Sequence, residues 1–267
     1  MSHDDAKSRA GWALVTGASS GIGLELARAL AEHGHDLVLV ARREDRLAQL
    51  GKELARSNGI QYKVIAADLA RPRAAEEVVA RLSSLGVAVD VLVNNAGFGL
   101  FGPLAEASID AQLEMVQVNI VALTALTGLL LPPMVTRRAG RILNVASTAA
   151  FQPGPGMAVY YATKAYVLSF SEALAGELTG TGVTVTALCP GPTKSEFQAV
   201  ARMQSVRLVT MMRMPGARSV ALAGYEGLMR GRRVVIPGWT NRVGAHLGRL
   251  APRAWVLGVV RRLHEPG

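Results

Sequence analysis

The chain predicts an α/β protein: a three-layer, doubly wound sheet of about seven parallel strands with helices on both faces. Three observations lead there. A short apolar strand runs into a glycine-rich turn and then a helix near the start. Strand candidates then alternate with helical patterns along the chain. Residues able to carry chemistry recur just past the carboxyl ends of those strands, where ligands bind in open α/β sheets.

In order, Trp12-Ala13-Leu14-Val15 reads as the first strand, followed by Thr16-Gly17-Ala18-Ser19-Ser20-Gly21-Ile22-Gly23. Leu24, Leu26, Ala27 and Leu30 then follow a helical period that stops at Gly34. Such a turn lets backbone N–H groups approach a phosphate, and the helix N-terminus adds favourable partial charge. The spacing G-x-x-x-G-x-G differs from the G-x-G-x-x-G dinucleotide fingerprint but does the same work.

The second strand, Leu37 to Val40, ends in Ala41-Arg42-Arg43. A carboxylate there would hold a ribose 2′-hydroxyl; two guanidiniums suit a 2′-phosphate and so NADP(H). The alternative is a solvated helix start with Arg42 and Arg43 paired to Glu44 or Asp45. Which arginine dominates is open.

Strands follow at Tyr62 to Ala66, ending at Asp68-Leu69, and at Val89 to Val93, ending at Asn94-Asn95-Ala96-Gly97. A helix over Arg71 to Leu85 separates them. A long apolar helix over about Asp110 to Met134 carries Asn119, whose amide competes for backbone hydrogen bonds there. Val118 to Val135 bears no charge; with its polar residues and Pro132-Pro133 it reads as a buried helix and not a membrane span. Arg141 to Ala146 is the next strand, with Ser147 past its end.

A helix over about Ala158 to Leu178 presents Tyr160 and Lys164, one turn apart on one face. An ammonium beside a phenol favours the phenolate and is expected to lower its pKa, giving an acid/base group near neutrality. Val183 to Leu188 is a strand ending in Cys189-Pro190-Gly191-Pro192-Thr193.

The 267 residues fit one domain, 1–267, with a hydrophobic half sufficient for a sizeable core. A single cysteine, Cys189, excludes a disulfide framework or cysteine-based metal cluster, and the five histidines lack ligand spacing. No metal is expected. The polar, mixed-charge start, Met1 to Gly11, is unlike a secretory signal, so a cytoplasmic protein is expected.

These pieces together resemble the short-chain dehydrogenase/reductase family, with its Rossmann-like fold. The matching residues are Thr16-Gly17-x-x-x-Gly21-x-Gly23, Asn94-Asn95-Ala96-Gly97, Asn119, Ser147, Tyr160-x-x-x-Lys164 and Pro190-Gly191-x-Thr193. The likeness runs from about residue 11 to residue 195 and is closest in flavour to ketoacyl and hydroxysteroid reductases.

The resemblance implies an NADP(H)-dependent oxidoreductase interconverting a ketone and a secondary alcohol. Tyr160 would protonate the carbonyl oxygen, Ser147 would hydrogen-bond it, and Lys164 would lower the tyrosine pKa and hold the nicotinamide ribose. Asn119 would hold a water in a relay to Lys164. Gly17, Ser19, Ser20, Gly21, Ile22, Gly23, Arg42, Arg43, Asp68, Leu69, Asn95, Ala96, Gly97, Pro190, Gly191 and Thr193 would contact the cofactor. It also implies a homodimer or homotetramer. A β-ketoacyl thioester reductase and a non-catalytic dinucleotide-binding regulator are the alternatives.

The C-terminal third is less patterned. Residues 193–216, rich in Met203, Met211, Met212 and Met214 with Phe197 and Val200, are expected to form a lid over an apolar substrate, or else to pack as core or dimer interface. Of the 29 Lys+Arg in the chain, 12 arginines lie in residues 201–267, against only Glu226 and Glu265. The basic tail, 240–267, has four open readings: a solvated face, a subunit contact, an acidic membrane surface, or attraction of a phosphate-bearing acyl carrier. Nucleic acid is not expected, because no recognition motif or aromatic platform accompanies the charge.

Overall fold

A computed structural model describes residues 10–194, 196–201, 214–250 and 252–264. Seven parallel strands form one sheet in the order β3-β2-β1-β4-β5-β6-β7. They are β1 Trp12–Thr16, β2 Asp36–Ala41, β3 Tyr62–Ala66, β4 Val89–Asn94, β5 Gly140–Val145, β6 Val183–Leu188 and β7 Val234–Val235. β7 is only two residues long and pairs through Leu188↔Val235. The strand order reverses between β1 and β4. Their carboxyl ends therefore open onto a crevice.

Alternation along the strands builds the two halves of the core. Ala13, Val15, Leu37, Leu39, Val91 and Val93 face one side. They meet Leu26 and Leu30 of α1 (Gly21–Glu32), Leu47 and Leu50 of α2 (Glu44–Asn58), and, later in the chain, Val220 and Leu228 of a helix over Ala217–Met229. Leu14, Val38, Val40, Leu92 and Ile142 face the other side. There they meet Val78 and Leu82 of α3 (Ala74–Ser84), Leu126 and Leu130 of α4 (Ile109–Thr136), and Leu174 of α5 (Ala158–Glu177). Strands buried on both faces must be apolar throughout, which is why they read as continuous Val/Leu runs. The later helices are α6 (Phe197–Val200), α7 (the Ala217–Met229 helix), α8 (Trp239–Leu250) and α9 (Arg253–His264).

Two helices depart from expectation. α3 begins at Ala74 and not at Arg71, because Arg73 adopts a left-handed φ of 61° that no helix can include. The long helix does run from Ile109 to Thr136, but over Gln117–Ala122 it widens into a π turn. Asn119 sits inside that turn. By length and composition α4 could cross a membrane, yet Leu126, Leu130 and Met134 are buried in the core layer. Its outward side exposes Ile109, Leu113, Val121 and Leu129.

Candidate active site

The glycine turn is held shut from behind. Gly17 has a φ of +66°, and a Cβ on it would lie 2.7 Å from Asn95 Nδ2. Only glycine tolerates both constraints. Asn95 Nδ2 donates to Thr16 O at 2.9 Å and Gly17 O at 3.3 Å. Thr16 Oγ1 in turn accepts from the backbone N–H groups of Asn95 and Ala96, each at 3.0 Å. Asn95 therefore acts on the turn by fixing its shape. Ser20 caps α1 in an extended conformation without a side-chain hydrogen bond to the helix, and no acidic residue occupies the first turn. The helix's own first turn thus brings no charge against an anion there, although the Glu196 carboxylate reaches Ser20 from the segment after β6.

At the end of β2, Arg43 Nη2 donates to Ser19 Oγ at 3.0 Å and to Glu196 Oε2 at 3.0 Å. Arg46 Nη1 donates to the other oxygen of Glu196 at 2.9 Å. Arg42 is exposed and faces the same cleft. The pairing with Glu44 or Asp45 that a solvated helix start would give is not what Arg43 makes. Its partner comes from the segment after β6. Hydrogen bonds from Arg43 and then Arg46 hold the Glu196 carboxyl down to about 2.

Tyr160 and Lys164 lie on the inner face of α5, both buried. Ser147, past the end of β5, accepts from Ala149 N at 3.1 Å and donates to Pro190 O at 3.4 Å, and its hydroxyl is near enough to the Tyr160 phenol to act on its pKa. Lys164 Nζ donates to Val145 O at 2.8 Å and lies 5.8 Å from the centre of the Tyr160 ring. The expected pKa lowering is overturned here. Burial pushes the Tyr160 phenol up to about 12, with the Ser147 hydrogen bond pulling only weakly the other way. Burial likewise brings Lys164 from 10.5 down to about 8. The ammonium is directed at a backbone carbonyl, and the price of desolvation outweighs its field at the phenol.

Tyr161, next in sequence, is separated from Tyr160 by what it binds. Its hydroxyl lies 3.0 Å from His264 Nε2, while His264 Nδ1 lies 2.6 Å from Pro155 O. A carbonyl can only accept, so Nδ1 carries the proton and Nε2 accepts from Tyr161. Burial lowers the His264 pKa, consistent with a neutral ring.

Asn119 does not line the cleft. Its Nδ2 donates to Phe98 O and Thr163 Oγ1, both at 3.0 Å, and its Oδ1 accepts from Phe98 N at 3.1 Å. All its side-chain donors are used in tying the loop after β4 to α5. A water held in relay to Lys164 therefore gains no donor from this amide.

The cleft has a volume of about 460 Å³ and is lined along its length by the residues the sequence singled out. Gly17, Ser19, Ser20, Gly21, Ile22, Arg42, Arg43, Asp68, Leu69, Asn95, Ala96 and Gly97 form one half. Ser147, Tyr160, Lys164, Pro190, Gly191 and Thr193 form the other. Gly23 lies behind, packed on Gly17 and Asn95. Phe98, Met157, Phe197, Val260 and Leu263 add apolar side chains to the wall, with Glu114, Gln152, Gln198 and His264 among them. The Phe197 ring sits 5.3 Å from the Tyr160 ring.

Sequence reading missed Glu196, Phe98, Met157 and the return of the tail through Val260, Leu263 and His264. None carries a local pattern. Of the expected lid, Lys194 N donates to Pro215 O at 3.0 Å, so its two ends meet. Met214 accepts from Gln198 at 3.6 Å. Met203, Met211 and Met212 fall outside the described residues.

Known proteins resemble this chain in sequence and in fold. Over 189 residues the chain is 38% identical to a short chain dehydrogenase of Pseudocercospora fijiensis, covering 70% of this chain and 61% of that protein. It is 42% identical over 181 residues to an NADP-dependent 3-hydroxy acid dehydrogenase of Salmonella typhi, covering 67% and 71%. Among solved structures, a short-chain dehydrogenase from Sphingobium yanoikuyae in complex with NADPH superposes with a TM-score of 0.80 at 34% identity, over 90% of this chain and 95% of that one. A bulky-bulky ketone specific alcohol dehydrogenase from Comamonas testosteroni gives 0.76 at 31% identity, over 90% and 93%. The sequence pattern of the short chain dehydrogenase family matches residues 11–205. With its reversed parallel sheet, glycine turn and Ser147–Tyr160–Lys164 cleft, the chain belongs to the short-chain dehydrogenase family.

Proposed function

We propose that the protein is an NADP(H)-dependent oxidoreductase that interconverts a ketone and a secondary alcohol on an apolar substrate. The observation that carries this is one cleft lined by Ser147, Tyr160 and Lys164 and also by Arg43, which is held on Ser19. The site fits such a cofactor. The α1 N-terminus and the Gly17 turn offer backbone donors for a pyrophosphate, and Arg43 with Arg42 offers a charge-assisted fork for a 2′-phosphate. The NADP dependence of the Salmonella relative and the NADPH bound in the Sphingobium structure support the choice.

When bound, the nicotinamide supplies or takes the hydride. The chain does the rest. Ser147 and Tyr160 direct two hydroxyls at the carbonyl oxygen, where alkoxide charge develops. A phenol with a pKa of about 12 keeps its proton at neutral pH and donates it to the stronger alkoxide base. Lys164, about 8, is charged at pH 7 and anchors α5 to the end of β5 through Val145 O. Phe98, Met157 and Phe197 exclude water beside the phenol.

A β-ketoacyl thioester is the second reading, supported by the arginine excess of the C-terminal tail. We also infer a homo-oligomer, since Ile109, Leu113, Val121 and Leu129 leave the outer side of α4 apolar. The test is a ketone and alcohol panel assayed with NADPH and NADH. Turnover of bulky apolar ketones with NADPH is expected. Turnover confined to ketoacyl thioesters selects the second reading, and no cofactor consumption with any substrate rejects both.

A further inference from the structure

The last two helices repeat one pattern. α8 places Trp239, Val243 and Leu247 four residues apart, and α9 places Trp255, Val259 and Leu263 in the same way. Steps of four put each trio on one helical face. All six are exposed, the tryptophans most of all at 77% and 74%. Tryptophan is among the costliest residues to leave in water, and two such stripes in 26 residues are not ordinary surface.

The helices are nonetheless docked by their other faces. Ala245 of α8 packs with Ala146, Val167 and Ile236. Val256 and Val260 of α9 pack with Tyr160, Tyr161 and Met157. His264 is pinned between Tyr161 and Pro155. Both stripes are thus held outward by a fixed scaffold.

Along the sequence between Glu226 and Glu265 the charge has one sign. From residue 227 to residue 264 the sequence holds eight arginines and no acid. Arg242, Arg253, Arg261 and Arg262 are exposed and make no ion pair among the described residues. Apolar stripes with interfacial tryptophans, flanked by unpaired cations, match the boundary of an anionic bilayer: headgroups take the guanidiniums and the acyl edge takes the indoles. The family's sequence pattern ends at residue 205, short of both helices.

We propose that α8 and α9 dock the protein on an anionic lipid surface. α9 presents Val260 and Leu263 to the cleft and Trp255 and Val259 to the bilayer. An apolar substrate dissolved in the membrane would then enter beside Leu263. That route rests on the function proposed above; the docking does not.

The test is sedimentation of the full chain with phosphatidylcholine vesicles, with and without phosphatidylglycerol, at low and high salt. Binding to the anionic vesicles alone, reversed by salt, is expected, with a blue shift of tryptophan emission. Trp12 lies in β1 and does not report on the surface. The Trp239→Ser/Trp255→Ser variant is expected to bind about tenfold more weakly or worse, and Arg261→Glu/Arg262→Glu to lose the anionic preference. Wild-type protein that stays in the supernatant with every vesicle, with unshifted emission, overturns the proposal. So does a face buried between subunits, seen as a smaller species in sedimentation velocity for the tryptophan variant together with no wild-type vesicle binding.

Discussion

Arg43 and Glu196 meet at 3.0 Å, and the same carboxylate reaches Arg46 at 2.9 Å. One acid from the segment after β6 thus occupies the guanidinium that a 2′-phosphate would take. Its carboxyl is held near 2 by those two hydrogen bonds. A lowered carboxyl pKa means the contact is complete above the ordinary 4.5 and is lost only as pH falls toward 2. Glu196 therefore competes with phosphate at every physiological pH. Glu196→Gln should tighten NADPH binding about two- to fivefold, the scale of an exposed ion pair, and leave NADH binding unchanged. Fluorescence titration of both nucleotides checks this.

The two arginines should not contribute equally. Arg43 is held by Ser19 and Glu196, whereas Arg42 makes no ion pair among the described residues. An ordered fork loses less side-chain entropy on binding. Arg43→Ala should reduce the NADPH-over-NADH preference in kcat/KM more than Arg42→Ala does. Steady-state kinetics with both cofactors on both variants measures the order.

Lys164 sets a pH dependence of stability. Its folded pKa, about 8, lies below the ordinary 10.5 because burial disfavours the charge. Between those values the unfolded chain binds the proton and the folded chain does not, so stability rises with pH across that window. Below about pH 8 the folded protein carries the full cost of a buried ammonium. Lys164→Met removes it. Denaturant melts from pH 7 to 10.5 should show wild type gaining on this variant as pH rises, while the variant has lost activity throughout.

Much of this was legible in local pattern. The glycine turn, the Arg42-Arg43 pair and Tyr160-x-x-x-Lys164 each depend on residues close in sequence, and the cleft brings them together. Asn119 was legible as an anomaly. An amide in an apolar helix needs partners, and the chain supplies them by opening a π turn and clasping Phe98 and Thr163. Long-range events left no such trace. Glu196 pairs with an arginine 153 residues away, and His264 with a tyrosine 103 away. The direction of the Tyr160 shift is not legible there, because adjacency in a helix shows a neighbouring charge but not the burial that opposes it.

In the reaction proposed here Tyr160 delivers the proton for NADPH-dependent carbonyl reduction. Tyr160→Phe keeps the ring packed on Phe197 and removes only the hydroxyl. The variant should bind NADPH as wild type does and lose about 10² to 10⁴ in kcat on the best ketone of the panel. Equal NADPH affinity with a wild-type kcat would contradict the account.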